Sequence, residues 1–97
     1  MVKHIILWNL KEEYNTLKVK EGIKTSLEAL QPQIDGLLEI KVEISPLASS
    51  NCDVMLWSVF DSVQSLKNYA VHPAHVAAAD TYVRPYTKSR VCMDCEE

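Results

Sequence analysis

Along residues 2 to 10 the chain is apolar in both alternating phases: Val2, Ile6, Trp8 and Leu10 fall in one, Ile5 and Leu7 in the other. Successive side chains of a strand leave on opposite faces, so this run predicts a central strand covered on both sides. Lys11-Glu12-Glu13 and Asn15 break the pattern, and from about Thr16 the apolar positions Val19, Ile23, Leu27 and Leu30 recur at helical spacing. A helix follows, ending before Pro32, whose ring disfavours helical backbone in the residue ahead of it. Beyond a turn at Gly36, Leu38, Ile40, Val42 and Ile44 alternate with Glu39, Lys41 and Glu43. That is a strand with one wet face.

Pro46 to Asn51 reads as a loop, and Val54 to Phe60 as a strand apolar in both phases, forming a hairpin-like pair with the strand before it. Asp61, with Gln64 three positions on, resembles a capping box opening a short helix through Leu66, Tyr69 and Ala70. His72 precedes Pro73, so that helix stops there. Pro73 suits the first turn of a new helical segment running through Ala77, Ala78 and Ala79. Arg90 to Met93 is predicted as the last strand.

The order β-α-β-β-α-β is that of an α+β, ferredoxin-like sandwich, a split βαβ sheet with its helices on one face. The other sheet face would be apolar and uncovered in a monomer, which predicts burial against a second copy and hence a homodimer.

A chain of 97 residues holds one core, so residues 1–97 are read as a single domain. The formal charge is −3 and the basic residues are scattered, which gives no electrostatic footprint for nucleic acid. Ile5-Ile6-Leu7-Trp8 is too short for a signal-peptide core or a membrane span. Cys52, Cys92 and Cys95 are irregularly spaced and odd in number, unlike a secreted disulfide framework. Both features predict a cytoplasmic protein with no membrane partner. No glycine-rich phosphate loop, nucleophile elbow or dinucleotide fingerprint occurs, so no nucleotide cofactor is expected.

The densest polar feature is Tyr69-Ala-Val-His72-Pro-Ala-His75, across the break between two helical segments. A neutral imidazole accepts a proton near neutral pH, and a phenol donates a hydrogen bond to a carbonyl or enolate oxygen. The same residues also suit a purely structural arrangement in which His72 caps a helix and Tyr69 packs in the core. His4 and Asp94 form a second pair, since the first and last strands of this fold are antiparallel neighbours. A carboxylate there would fix the imidazole's tautomer, which serves catalysis and the tying of a strand end equally well. Cys92-Met-Asp-Cys95 has the spacing of a metal or redox pair, but strand residues three apart face opposite ways. A trio of His4, His72 and His75 is the other conceivable metal set. No metal or other cofactor is expected.

Val2-Lys3-His4-Ile5-Ile6-Leu7, the Phe60-Asp61-Ser62 turn, the Tyr69-to-His75 element and Arg84-Pro85 before a strand ending in Asp94 resemble the stress-responsive A/B barrel (Dabb) family, nearly end to end. The resemblance implies a ferredoxin-like protomer whose sheet packs on its twin to form a dimeric α/β barrel, with a cavity between sheet and helices. Most members have no settled activity, but a plant polyketide cyclase among them drives an aldol-type ring closure with a His and a Tyr. By resemblance His75 matches that base and Tyr69 that phenol, while His4, His72 and Asp94 are pocket residues. The expected function is binding of a small apolar or carbonyl-containing ligand; the alternative is a cofactor-independent cyclase or lyase.

Overall fold

A computed structural model describes all residues, Met1 to Glu97. Strand β1 (Val2–Leu10) leads through a 3-10 turn into α1 (Leu17–Glu28), followed by β2 (Leu37–Glu43) and β3 (Val54–Phe60). Helices α2 (Val63–Val71) and α3 (Pro73–Ala78) precede the last strand, β4 (Thr87–Glu96). The sheet is antiparallel throughout, in the order β2-β3-β1-β4. This is the ferredoxin-like α+β arrangement expected from the element order.

The pleat of β1 sorts its residues. Val2, His4, Ile6, Trp8 and Leu10 are buried, and Ile6, Trp8 and Leu10 join Ile23 and Leu27 of α1, Leu56 and Phe60 of β3 and Tyr69 of α2 in one core. At about 25 cal/mol per Å² of apolar surface removed from water, burial of such a row is the main force holding the helices to the sheet. The opposite row, including Ile5 and Leu7, is only half-buried, as are its cross-strand partners Trp57 and Met55. On the same face Val91 and Met93 of β4 are 65% and 68% exposed. Within one protomer β1 is therefore covered on one side, and an apolar sheet face is left open.

Several local details depart from the sequence expectations. The register of β2 shifts between Leu37 and Glu39, so Leu37 enters the core and Leu38 does not; the extra residue rephases the start of the strand. Ser62, not Asp61, caps α2: its hydroxyl accepts from the Ser65 amide at 3.1 Å, while Asp61 accepts from the hydroxyls of Ser62 and Ser65. The dyad is thus displaced by one residue, and Gln64 bonds Asn68 along the helix instead. Strand β4 is ten residues long, longer at both ends than Arg90–Met93, because pairing with β1 carries it through polar residues that periodicity does not flag.

The helix expected from about Thr16 is present, with the Thr16 hydroxyl capping it by accepting from the Val19 amide, and the break expected at His72-Pro73 is kept. Gly36 adopts φ +84°, and a Cβ there would come within 2.5 Å of the Ser65 Cβ, so the turn into β2 requires glycine both for its conformation and for its approach to α2. Edge strand β2 is fastened to α1 by Glu28, which accepts from the Val42 amide at 2.9 Å, and by Lys24, which donates to the Val42 carbonyl at 2.8 Å. No helix is long and apolar enough to cross a membrane.

Candidate functional site

The helix-facing row of β1 carries one polar side chain, His4, among apolar neighbours. Antiparallel pairing places Asp94 directly across from it and Cys92 across from Ile6, so all three lie on one face. The His4 Nδ1–H donates to Asp94 Oδ1, leaving Nε2 as the second ring nitrogen. His4 is 6% exposed and stands edge-on to Phe60 and Tyr69, with ring centroids at 6.3 and 6.1 Å. The cross-strand neighbourhood expected for His4 and Asp94 is thus present.

Tyr69 and His75 come together from different helices. His72 ends α2 and begins α3, and its extended backbone turns the chain so that His75 folds back over Tyr69, with ring centroids 4.2 Å apart. These two rings and His4 line a cavity of about 150 Å³, whose apolar walls include Ile6, Trp8 and Leu66. That is room for a ring the size of benzene. The cavity shares His4, Leu66, Ala70 and Arg90 with a wider, more open groove of about 670 Å³ between α2 and β4, where Asp94 and Cys92 lie.

His72 lines neither space. Its Nδ1 accepts from the Ala74 amide at 3.1 Å, so it works as the α3 cap. Sequence reasoning missed Arg84 and Arg90, which reach the cavity wall, and the proximity of Cys92 to His4. Arg84-Pro85 drew notice only as part of a resemblance. The His4–Asp94 pairing, carried four residues along both strands, places Arg90 opposite Trp8 on the cavity face, and this was the signal that could have found it.

The electrostatics divide the labour between the two rings. Burial pushes the Tyr69 phenol well above its ordinary value, so it stays protonated and keeps an O–H to donate. Its hydroxyl is buried and has no hydrogen-bond partner within the protein. Burial pushes the His75 imidazole below its ordinary 6.5, opposed by the Ala70 carbonyl and reinforced by the charges of Arg84, His4 and Arg90. A carbonyl only accepts, so the 3.3 Å contact with Ala70 puts the proton on Nδ1 and leaves Nε2 with a free lone pair. The pair can therefore offer one donor and one base to a molecule in the cavity.

An unpartnered buried hydroxyl costs about 1–3 kcal/mol. Replacing Tyr69 by Phe removes that cost while keeping the ring, so the ligand-free protein should gain about 1 kcal/mol of stability, read as a higher urea midpoint at unchanged slope. A loss of stability would show that the hydroxyl is satisfied.

Comparison with known proteins places this geometry in a lineage. The family model described as the stress responsive A/B barrel domain (Dabb) matches residues 2–97. Olivetolic acid cyclase from Cannabis sativa is 28% identical over 83 residues, 84% of this chain and 82% of that protein. A dimeric ferredoxin-like protein of unknown function from Bacteroides fragilis superposes with a TM-score of 0.89 at 34% identity, covering 99% of this chain and 95% of the other. A second dimeric ferredoxin-like protein of unknown function, from Thermobifida fusca, gives 0.84 at 25% identity, covering 97% of this chain and 88% of the other. With a family model matched from its second residue to its last, and this sheet and helix order, the chain belongs to the stress-responsive A/B barrel domain family.

Proposed function

We propose that this chain is a cytoplasmic homodimer, each protomer of which binds a small carbonyl-bearing, largely apolar molecule between Tyr69 and His75. The observation that carries the reading is the buried Tyr69 hydroxyl with no protein partner, beside a cavity that His75 also lines. Buried hydroxyls are normally satisfied, and a ligand oxygen accepting from this one would complete it. Free thiols at Cys52, Cys92 and Cys95 suit a reducing compartment.

The dimeric half rests on the sheet face away from the helices, where Ile5, Leu7, Met55, Trp57, Val91 and Met93 form a continuous apolar patch over three strands. Two such faces packed together would complete a barrel, in keeping with the dimeric relatives. Light scattering should then give a mass near twice the 11.0 kDa of the chain. Leu7→Glu, placing a charge in the patch, should return it to the mass of one chain; a wild-type monomer at micromolar concentration would overturn the dimer.

Calorimetric titration with a small β-diketone tests the ligand half. Loss of one hydrogen bond costs about 1 kcal/mol, so Tyr69→Phe should weaken binding about fivefold to tenfold. Equal affinity in wild type and variant would remove Tyr69 from the site.

A second reading, cofactor-independent proton transfer of the aldol type, is favoured by the state of His75: neutral, with its Nδ1 proton held by Ala70 and Nε2 free. In that chemistry Nε2 takes a proton from the carbon next to the ligand's carbonyl, and Tyr69 donates to the enolate oxygen that forms. The relative named as a cyclase agrees with this reading. Exchange of a small ketone's α-protons for deuterium, followed by NMR, should be catalysed by the wild type and fall about 100-fold in His75→Ala. Catalysed exchange at the same rate in the variant would exclude His75 as the base.

A further inference from the structure

Away from the Tyr69–His75 pair, one cluster of side chains has the composition and spacing of a metal site, and it is neither of the sets that the sequence suggests. Cys92 and Cys95 cannot chelate together within a protomer: Cys92 pairs with Ile6 on the helix face, and Cys95 with Lys3 on the other. His72 is committed to capping α3. The β1–β4 register instead gathers His4, Cys92 and Asp94, whose Nδ1, Sγ and carboxylate oxygen all lie within 4.8 Å of one another.

We propose that His4, Cys92 and Asp94 bind one divalent transition ion of the zinc type through Nδ1, Sγ and Oδ1, with a fourth position open to the groove between α2 and β4. The distances support it. Zinc–sulfur bonds of about 2.3 Å and zinc–nitrogen or zinc–oxygen bonds of about 2.0 Å at tetrahedral angles set sulfur about 3.5 Å from each of the other ligand atoms. Cys92 Sγ lies 3.7 Å from His4 Nδ1 and 3.7 Å from Asp94 Oδ1. Only the hydrogen-bonded His4–Asp94 edge must widen, to about 3.3 Å in the same geometry. The Asp94 side chain, 45% exposed, is free to turn by that amount.

The ligand types fit as well. Imidazole, thiolate and carboxylate are the donors zinc uses, and three protein ligands with one open position distinguish sites where the ion contacts another molecule from closed structural ones. Cys92 and Asp94 are alternate residues of one strand and so share a face, and His4 is held edge-on to Phe60 and Tyr69, so the imidazole is oriented before an ion arrives and Asp94 adjusts to it. Binding moves the neutral His4 ring's proton from Nδ1 to Nε2 and displaces the Cys92 thiol proton, so one proton per ion leaves to solvent. The open position lies toward the groove that shares His4, Leu66, Ala70 and Arg90 with the cavity beside Tyr69.

Cobalt(II) added to the full-length, chelator-stripped protein reads the site directly. The expected result is a thiolate-to-cobalt charge-transfer band with the visible bands of tetrahedral coordination, saturating at one ion per chain. Cys92→Ser should abolish the charge-transfer band, Cys95→Ser should leave it, and Asp94→Asn should weaken zinc affinity about 100-fold in competition with a chelating dye, at least what loss of an outer-shell partner costs. Cys92 and Asp94 are exposed, so these variants should keep the fold, which far-ultraviolet circular dichroism checks. Absence of a thiolate band in the wild type, its persistence in Cys92→Ser or its loss in Cys95→Ser would overturn the proposal. None of these outcomes depends on whether the cavity binds a carbonyl compound.

Discussion

Because alternate side chains of a strand leave on opposite faces, the nine residues of β1 form two rows, and both the core and the site are built on that sorting. One row, Val2 to Leu10, seats the helices and places His4 at the floor of the cavity; the other presents Ile5 and Leu7 outward. A slip of one residue would exchange the rows, exposing the core set and removing His4 from Tyr69. Pairing on both edges of β1 fixes the register: β3 brings Leu56 and Phe60 to the helix face, and β4 brings Asp94, Cys92 and Arg90.

The helical layer adds the reactive groups through a break in its regularity. Pro73 cannot extend α2, and the extended backbone at His72 lets α3 start in a new direction, its amide capped by the His72 ring. This turn brings His75 back over Tyr69. A continuous helix would carry residues 69 and 75 on different sides of its axis, six positions apart at 100° per residue. His72 thus acts on the site through the backbone, while Tyr69 and His75 bring a phenol and an imidazole to one cavity wall.

Much of this architecture was legible in the chain. The two phases of β1, the helical spacing from Val19 to Leu30, the alternation in β2 and the proline break all reflect burial, which writes a period into the sequence. The placement of His4 beside Asp94 followed from topology alone. What escaped has a physical reason in each case. β4 is an edge strand without a buried row, so its length and the position of Arg90 left no hydrophobic signature. The bulge that exchanges Leu37 for Leu38 lies between two leucines, where periodicity cannot choose. Two roles were open to His72, helix cap and pocket residue, and one rotamer decides between them, which spacing does not encode; the nearness of Cys92 to His4 depends on side-chain direction between two residues of β4.

The central claim is that the Tyr69 hydroxyl and His75 Nε2 address one molecule in a common cavity. A crystal of the protein soaked in a small β-diketone tests it most directly. The account predicts density in the cavity with an oxygen within hydrogen-bonding distance of Tyr69 Oη and the rest of the molecule beside His75. A cavity closed by its own side chains, or a phenol that has found a protein partner in the crystal, would contradict it.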